Sequence, residues 1–382
     1  MGAARGARCA LRARRIDRAR GARGRDPAED RARRADRRRG GGGGGGEGVN
    51  HAVGSAEAAP ARARGETGDA LHGLLAIDKP KGVTSHDVVE RVRRRLASPH
   101  AGHLGTLDPA ATGLLLVAMG AATRCAMVWQ GGEKTYEGAL RLGVVTDTQD
   151  LTGRVLASLQ VTVEDEALRA AGHRLVGELD QVPPMVSARR VGGERLYRLA
   201  RRGEVVERAA RRVRVVSWEW GEVALPDAHF RVRCSGGTYV RTLVHDLGQS
   251  LGCGAALASL RRTRSEPFGL ERALTWRDLD ELEPGEAWAR AGIPLGDALS
   301  VLPDVTVDAA GAAAVGRGRA VALAETEAAA IPVGAGPRSV VIRAASSVPL
   351  ALGELRRGPE PGAPLLACPH VVFPWAVREG RP

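Results

Sequence analysis

Asp108 is the residue best placed to do chemistry. It lies in the string Gly102-His103-Leu104-Gly105-Thr106-Leu107-Asp108-Pro109-Ala110-Ala111-Thr112-Gly113 of this 382-residue chain. Pro109 donates no backbone hydrogen bond and steers Asp108 away from helical geometry, so the carboxylate sits on a fixed loop rather than a helix face. The apolar run 114–119, between Gly113 and Gly120, reads as a strand buried on both faces. A carboxylate at the mouth of a rigid strand can serve as nucleophile or base, although an isolated Asp-Pro is more often only a turn. Tyr239 and Arg241 form a second concentration. They follow the break Ser235-Gly236-Gly237 and open a segment in which Val240, Leu243, Val244, Leu247 and Leu251 recur at helical spacing. Thr238 is the expected N-cap and Gly252 the stop. A helix N-terminus favours an anion, here either Asp108 or a phosphate. Nothing in the spacing brings together residues 133 positions apart.

Several elements must hold these groups. Residues 73–78 form a short apolar strand, followed by the turn Lys79-Pro80-Lys81-Gly82. Ser85 is the expected N-cap of a helix with Asp87 in its first turn, Val88, Val92 and Leu96 on one face, and arginines on the other. Residues 121–130 read as helix and 134–142 as a strand. On that strand Lys134, Tyr136, Leu140 and Leu142 share a face, which places Tyr136 near a cleft rim. Residues 230–234 alternate as another strand. From about residue 301, short apolar runs such as 339–343 and 364–369 separated by Gly/Pro turns indicate a small β-rich appendage.

Four strings occur in order across residues 73–300: Asp78-Lys79-Pro80-Lys81-Gly82, the Asp108 string, Lys134-Thr135-Tyr136, and Gly237-Thr238-Tyr239-Val240-Arg241-Thr242. In these the chain resembles the TruB family of tRNA pseudouridine synthases. The resemblance implies a mixed α/β (α+β) pseudouridine synthase fold with a central, largely antiparallel sheet, plus a small β-rich C-terminal domain. It implies isomerisation of the T-loop uridine of tRNA, conventionally position 55, to pseudouridine by base flipping, with no cofactor and no metal. By the same resemblance Asp108 is the essential catalytic residue, either nucleophile on the ribose or base for a glycal intermediate. Arg241 pairs with it, Tyr136 stacks on the uracil, and Tyr239 positions the base or moves the C5 proton. His103 sits against the flipped nucleotide or is a structural loop histidine. Lys79 supports the pocket, contacts RNA, or is a solvent-facing turn residue. Arg190, Tyr197 and Leu260 match stretches that line the cleft. Three positions depart from the family pattern: Val145 where some relatives carry Arg, Val186 where an aromatic is frequent, and Gly236 in place of a common Lys.

Composition bounds the remainder. The expected organisation is an Arg/Gly-rich extension over 1–70, a catalytic domain over 71–300 and a C-terminal, PUA-like RNA-binding domain over 301–382. The extension includes seven consecutive glycines at 40–46 and reads as disordered. It is either a basic arm or lies upstream of a natural start at Val49 or Val53. It carries 17 Arg against nine acidic residues and so holds most of the net charge of +12. In the body the local excess is at 189–214, where ten Arg face only Glu194, Glu204 and Glu207. That segment is either a phosphate-contacting surface or a solvated face with ion pairs. The chain has 53 Arg but only Lys79, Lys81 and Lys134, which suggests positions that prefer a compact ammonium to a planar guanidinium. Five scattered cysteines without a Cys-x-x-Cys pair argue against a disulfide framework or zinc site. With no membrane span and no secretory signal in view, the expectation is a cytoplasmic monomer that binds the tRNA T-arm without an obligate protein partner. Two other readings are a tRNA-folding chaperone, as a second role or alone, and a guide-RNA-dependent, dyskerin-like enzyme.

Overall fold

The computed structural model describes residues 71–187, 189–204, 206–323, 338–357 and 363–379. In chain order, β1 (Gly73–Lys79) leads to α1 (Ser85–Arg95), and β2 (Ala101–His103) and β3 (Thr112–Met119) bracket the Asp108 loop. A 3-10 turn at Gly120–Cys125 and α2 (Met127–Gln130) replace the single helix expected over 121–130. Then come β4 (Lys134–Leu142), β5 (Val144–Thr146), β6 (Val155–Ser158), α3 (Asp165–His173) and β7 (Gly177–Gln181). Next are the two-residue strands β8 (Arg190–Val191) and β9 (Glu194–Arg195), and α4 (Leu196–Arg201). The long hairpin β10 (Arg211–Ala224) and β11 (Asp227–Cys234) feeds α5 (Val240–Ser250), followed by β12 (Ala255–Ser265), β13 (Phe268–Gly269) and β14 (Gly292–Pro294).

These strands form one sheet in the order β14-β1-β3-β12-β4-β11-β10-β7, with β2 added to β3 and β13 to β12. Every pairing is antiparallel except β12 with β3, so the sheet is largely antiparallel, as expected. The unbroken apolar run in β3 has a direct cause. Leu115, Val117 and Met119 pack with α1 and α5 in one core. Leu114, Leu116 and Ala118 face a second core that contains Trp129, Leu299, Val341, Leu352 and Phe373. Val341 and Leu352 come from a C-terminal sheet of β15 (Asp304–Val307), β16 (Val321–Ala322), β17 (Arg338–Ala344), β18 (Pro349–Arg357) and β19 (Leu365–Val372), and Phe373 directly follows β19. Its order is β15-β17-β18-β19-β16.

Two caps differ from the sequence reading. Thr84, not Ser85, caps α1, and it exchanges hydrogen bonds with Asp87 in a capping box. Ser85 is instead buried, and its hydroxyl accepts from the Leu107 N–H (2.9 Å) and donates to the Leu107 carbonyl (3.0 Å), which fastens α1 to the Asp108 loop. Tyr239 holds the N-cap position of α5 without a side-chain cap, while the Thr238 hydroxyl donates to the Ser235 carbonyl at 2.9 Å. Gly252 ends the helix in the left-handed region, as expected.

Gly113 marks where β3 meets β12. Its φ is +99°, and a Cβ there would lie 2.3 Å from the Arg262 carbonyl oxygen. Gly113→Ala therefore combines backbone strain with a clash and is expected to cost about 2 kcal/mol or more. Urea denaturation checks this, and a midpoint equal to that of the wild type would contradict it.

Candidate active site

A cleft of about 340 Å³ opens where the Asp108 loop, β4, β12 and the start of α5 converge. Asp108, Tyr136, Tyr239, Arg241 and Leu260 line it together. The loop beneath is pinned at successive residues. Besides the Ser85 link, the Gly82 N–H donates to the Pro109 carbonyl at 2.8 Å, and the Ala111 N–H donates to that of Asp108 at 3.0 Å. Arg262 is almost fully buried and donates to the Gly105 carbonyl (3.1 Å) and the Leu114 carbonyl (2.7 Å).

Lys79 completes this anchorage. Its side chain has no exposed surface, and its ammonium donates to the carbonyls of Val83 (2.8 Å), Pro80 (3.0 Å) and Pro109 (3.4 Å). It therefore supports the pocket and offers nothing to RNA or solvent. Burial lowers its pKa to about 8. Lys134 is held likewise by Gly132 (2.6 Å), Gln130 (2.8 Å) and Trp129 (3.1 Å), with its pKa lowered by burial to about 8. Three carbonyls match the three protons of an ammonium, which a planar guanidinium cannot present. Lys81, by contrast, is exposed.

The fold brings Asp108 and Arg241 together, with Nε 3.4 Å from Oδ2. Arg241 is 4% exposed. Its Nη1 donates to the Thr148 carbonyl at 3.3 Å and its Nη2 to that of Val186, so the guanidinium is fixed from the side away from the carboxylate's ion-pair contact at Nε. The Asp108 carboxylate itself is half-exposed towards the cleft. Its recessed setting raises its pKa above the ordinary value; Arg241 and Lys79 pull it down, and Asp150 pushes it up. Desolvation outweighs the Arg241 charge.

Tyr136 lies within β4 and is buried, which pushes its phenol pKa up. The Tyr239 ring lies beside Arg241, 5.9 Å from the guanidinium carbon to the ring centroid. His103 is half-buried at the end of β2, two residues before Gly105 on the cleft wall. Arg190 begins β8 and Tyr197 lies in α4, but their side chains fall outside the described residues. Sequence reasoning missed Arg262, Leu257 and Ser187, which line the cleft, and Gln181 behind it. The one signal for Arg262 is its period-two alignment with Leu260, a charge on an inward face.

Two features of the basic segment alter its reading. Arg202 pairs with Glu194 and Glu204, both at 2.6 Å, and Arg212 pairs with Glu178 (2.9 Å) and Asp180 (3.2 Å). Arg198, Arg211 and Arg214 are exposed and form no ion pair among the described residues, and Arg189 lines the cleft. At Gly236 a Cβ would lie 2.5 Å from the Gln130 carbonyl oxygen, so close packing explains the missing lysine. Among the described residues no group of three or more His, Cys, Asp or Glu could hold a metal ion, and no helix is long and apolar enough to cross a membrane.

Residues 93–240 match the TruB family pseudouridylate synthase N-terminal domain, and 241–289 match the tRNA pseudouridylate synthase B C-terminal domain. The tRNA pseudouridine synthase B of Opitutus terrae is 51% identical over 214 residues, 56% of this chain and 88% of that protein. The chain belongs to the TruB family. It is a pseudouridine synthase, an isomerase, and the first TruB match contains Asp108, Tyr136 and Tyr239 while Arg241 opens the second. The TruB relative from Geobacter sulfurreducens, also a tRNA pseudouridine synthase B, is 45% identical over 65% of this chain and 82% of its own. Among solved structures, a chain of a Cbf5–Nop10–Gar1 complex superposes with a TM-score of 0.60 at 29% identity, covering 79% of this chain and 84% of that one. One from an H/ACA RNP bound to a substrate RNA gives 0.58 at 26% identity, covering 82% and 92%.

The raised pKa of Asp108 carries a stability consequence. The folded state holds this proton more tightly than the unfolded chain, so stability is lost as pH rises through the folded pKa, and the carboxylate is a burden at neutral pH. Asp108→Asn is expected to melt higher than the wild type at pH 7, with the gain shrinking as pH falls towards the ordinary Asp value of about 3.9. Paired thermal melts across that range check it, and a lower midpoint for the variant at pH 7 would refute it.

Proposed function

We propose that this protein converts the T-loop uridine of tRNA, at position 55, to pseudouridine, with Asp108 as the essential carboxylate. The observation that carries the reading is the Asp108–Arg241 pair at the floor of a cleft walled by Tyr136 and Tyr239. The tRNA substrate is supported by relatives that bear the name tRNA pseudouridine synthase B.

The reaction breaks the bond between ribose C1′ and uracil N1, turns the base and rejoins it through C5, with no net redox change and no group donor. Asp108 either attacks C1′ to form an ester or removes the 2′ proton towards a glycal; both routes need it ionised. Arg241, fixed by two carbonyls, orients that carboxylate and favours its charge. Tyr136 supplies a face for the uracil, and Tyr239 positions the base or moves the C5 proton. The cleft volume lies near the lower end of the small-ligand range of about 300–1,000 Å³, which suits one extruded nucleotide rather than a duplex.

Extruding a stacked base costs a few kcal/mol, and stacking on one aromatic returns about 1–3 kcal/mol. Phosphate contacts supply the remainder, from Arg189, Arg198, Arg211, Arg214 and a PUA-like C-terminal domain beginning near residue 301. The protein acts as a cytoplasmic monomer without guide RNA. The likeness to Cbf5, a protein solved in complexes, favours one other reading, guide-dependent action.

The test is release of tritium from uridine C5 in an unmodified tRNA transcript. Wild-type protein alone should release the label, and Asp108→Asn should release none while binding tRNA within about twofold of the wild type. Binding without release by either protein would favour the guide-dependent reading. Affinity for tRNA should also fall steeply as salt rises from about 50 to 200 mM, and a flat response would refute the arginine surface.

A further inference from the structure

Gln181 ends β7 and is 3% exposed, yet no chemistry has been assigned to it. Its side-chain amide spans both backbone groups of one cleft residue. The Tyr239 N–H donates to Oε1 at 2.8 Å, and Nε2 donates to the Tyr239 carbonyl at 3.1 Å. Tyr239 stands at the N-cap of α5, where the backbone is extended (φ −95°, ψ 102°) and no side chain within the helix caps the end. Its carbonyl also accepts from the N–H groups of Thr242 and Leu243, both at 3.1 Å. The peptide groups on either side of the Tyr239 side chain are thus held from a strand 58 positions upstream.

The same upstream segment grips a second residue of the helix start. Five positions beyond Gln181, the Val186 carbonyl accepts Nη2 of Arg241. Pro183, between them, is tethered by Nη1 of Arg208 at 3.1 Å. Residues 181–186 therefore contact Tyr239 through its backbone and Arg241 through its side chain, which fixes the relative placement of a phenol and a guanidinium two residues apart. A neutral amide of this length both accepts and donates there. Ionised Glu accepts without donating, Leu does neither, and Asn is one methylene shorter.

We infer that Gln181 is a positioning residue for the isomerisation. It acts through Tyr239, whose phenol it holds towards the uracil site, and does not touch RNA. The inference rests on the proposed role of Tyr239.

The experiment measures single-turnover rates at saturating tRNA, together with tRNA affinity and thermal melts, for Gln181→Leu, Tyr239→Leu and the double variant. Gln181→Leu should lower the rate about 10- to 100-fold, the scale of a small misplacement of a reacting group, while melting cooperatively and binding tRNA within about twofold of the wild type. In the Tyr239→Leu background the same substitution should cost little, because the group it positions is gone. Gln181→Glu supplies a rescue. Burial beside a carbonyl raises its pKa above the ordinary value of about 4.3, and the protonated acid again donates and accepts. Its rate relative to the wild type should therefore climb as pH falls from about 8 to 5.

A wild-type rate for Gln181→Leu with a slow Tyr239→Leu would overturn the inference and leave the role of Tyr239 standing. Equal costs of Gln181→Leu in both backgrounds, rate and tRNA affinity lost together, or a pH-flat ratio for Gln181→Glu would also overturn it. A wild-type rate for Tyr239→Leu would overturn the role of Tyr239 and the inference with it.

Discussion

A guanidinium removed from water needs its charge answered by the protein, and the way Arg241 is answered organises this molecule. Leaving one of its buried donors without an acceptor costs about 1–3 kcal/mol. Two carbonyls, from Thr148 and Val186, each accept from one of its outer nitrogens, and its Nε lies within ion-pair distance of Asp108. The residues that supply those carbonyls come from a turn after β5 and a segment after β7, so three distant stretches of chain must be in place before the carboxylate meets its partner. The geometry of this pair is thus a product of the whole sheet.

The same solution recurs around the cleft. Lys79, Lys134 and Arg262 are buried cations, and each donates to two or three backbone carbonyls. Charge-assisted bonds of this kind each contribute more than a neutral hydrogen bond, about 1.5–3 kcal/mol. Because most of the acceptors lie in turns and loop segments, the cations act largely on the irregular parts of the chain that periodic apolar packing leaves free. The Asp108 loop is the clearest beneficiary, being held by Lys79 from one side, Arg262 from another and the Ser85 hydroxyl from a third.

Much of this was legible in the residues. Unbroken apolar runs located β1 and β3, period-two spacing β4 and β11, and helical spacing α5, because those patterns report directly on which faces meet a core. The scarcity of lysine pointed to Lys79 and Lys134, although only the fold shows that three carbonyls select an ammonium. Local pattern did not distinguish Thr84 from Ser85 as the cap, since both hydroxyls suit the position and the choice was made by Leu107, 22 residues away. Arg262 and Gln181 were hard to single out for a similar reason: their partners are 58 to 157 positions away in the chain, and a polar residue in a strand looks solvent-facing until the topology is known. The number of arginines at 189–214 could not by itself separate the two readings of that segment, because the acids that neutralise Arg212 sit on β7, outside that window.

The two faces of β3 have one more consequence. Since Leu114, Leu116 and Ala118 share a core with Val341, Leu352 and Phe373, the C-terminal sheet is mortised into the catalytic one. Arg124, which donates to the Val372 carbonyl at 2.8 Å, and Arg343, which donates to that of Gly296 at 3.1 Å, add polar pegs to that joint. An RNA gripped by the C-terminal strands would be held at a set span from Asp108. The protein would then choose its target as a calliper does, by the distance between a held body and a reachable base.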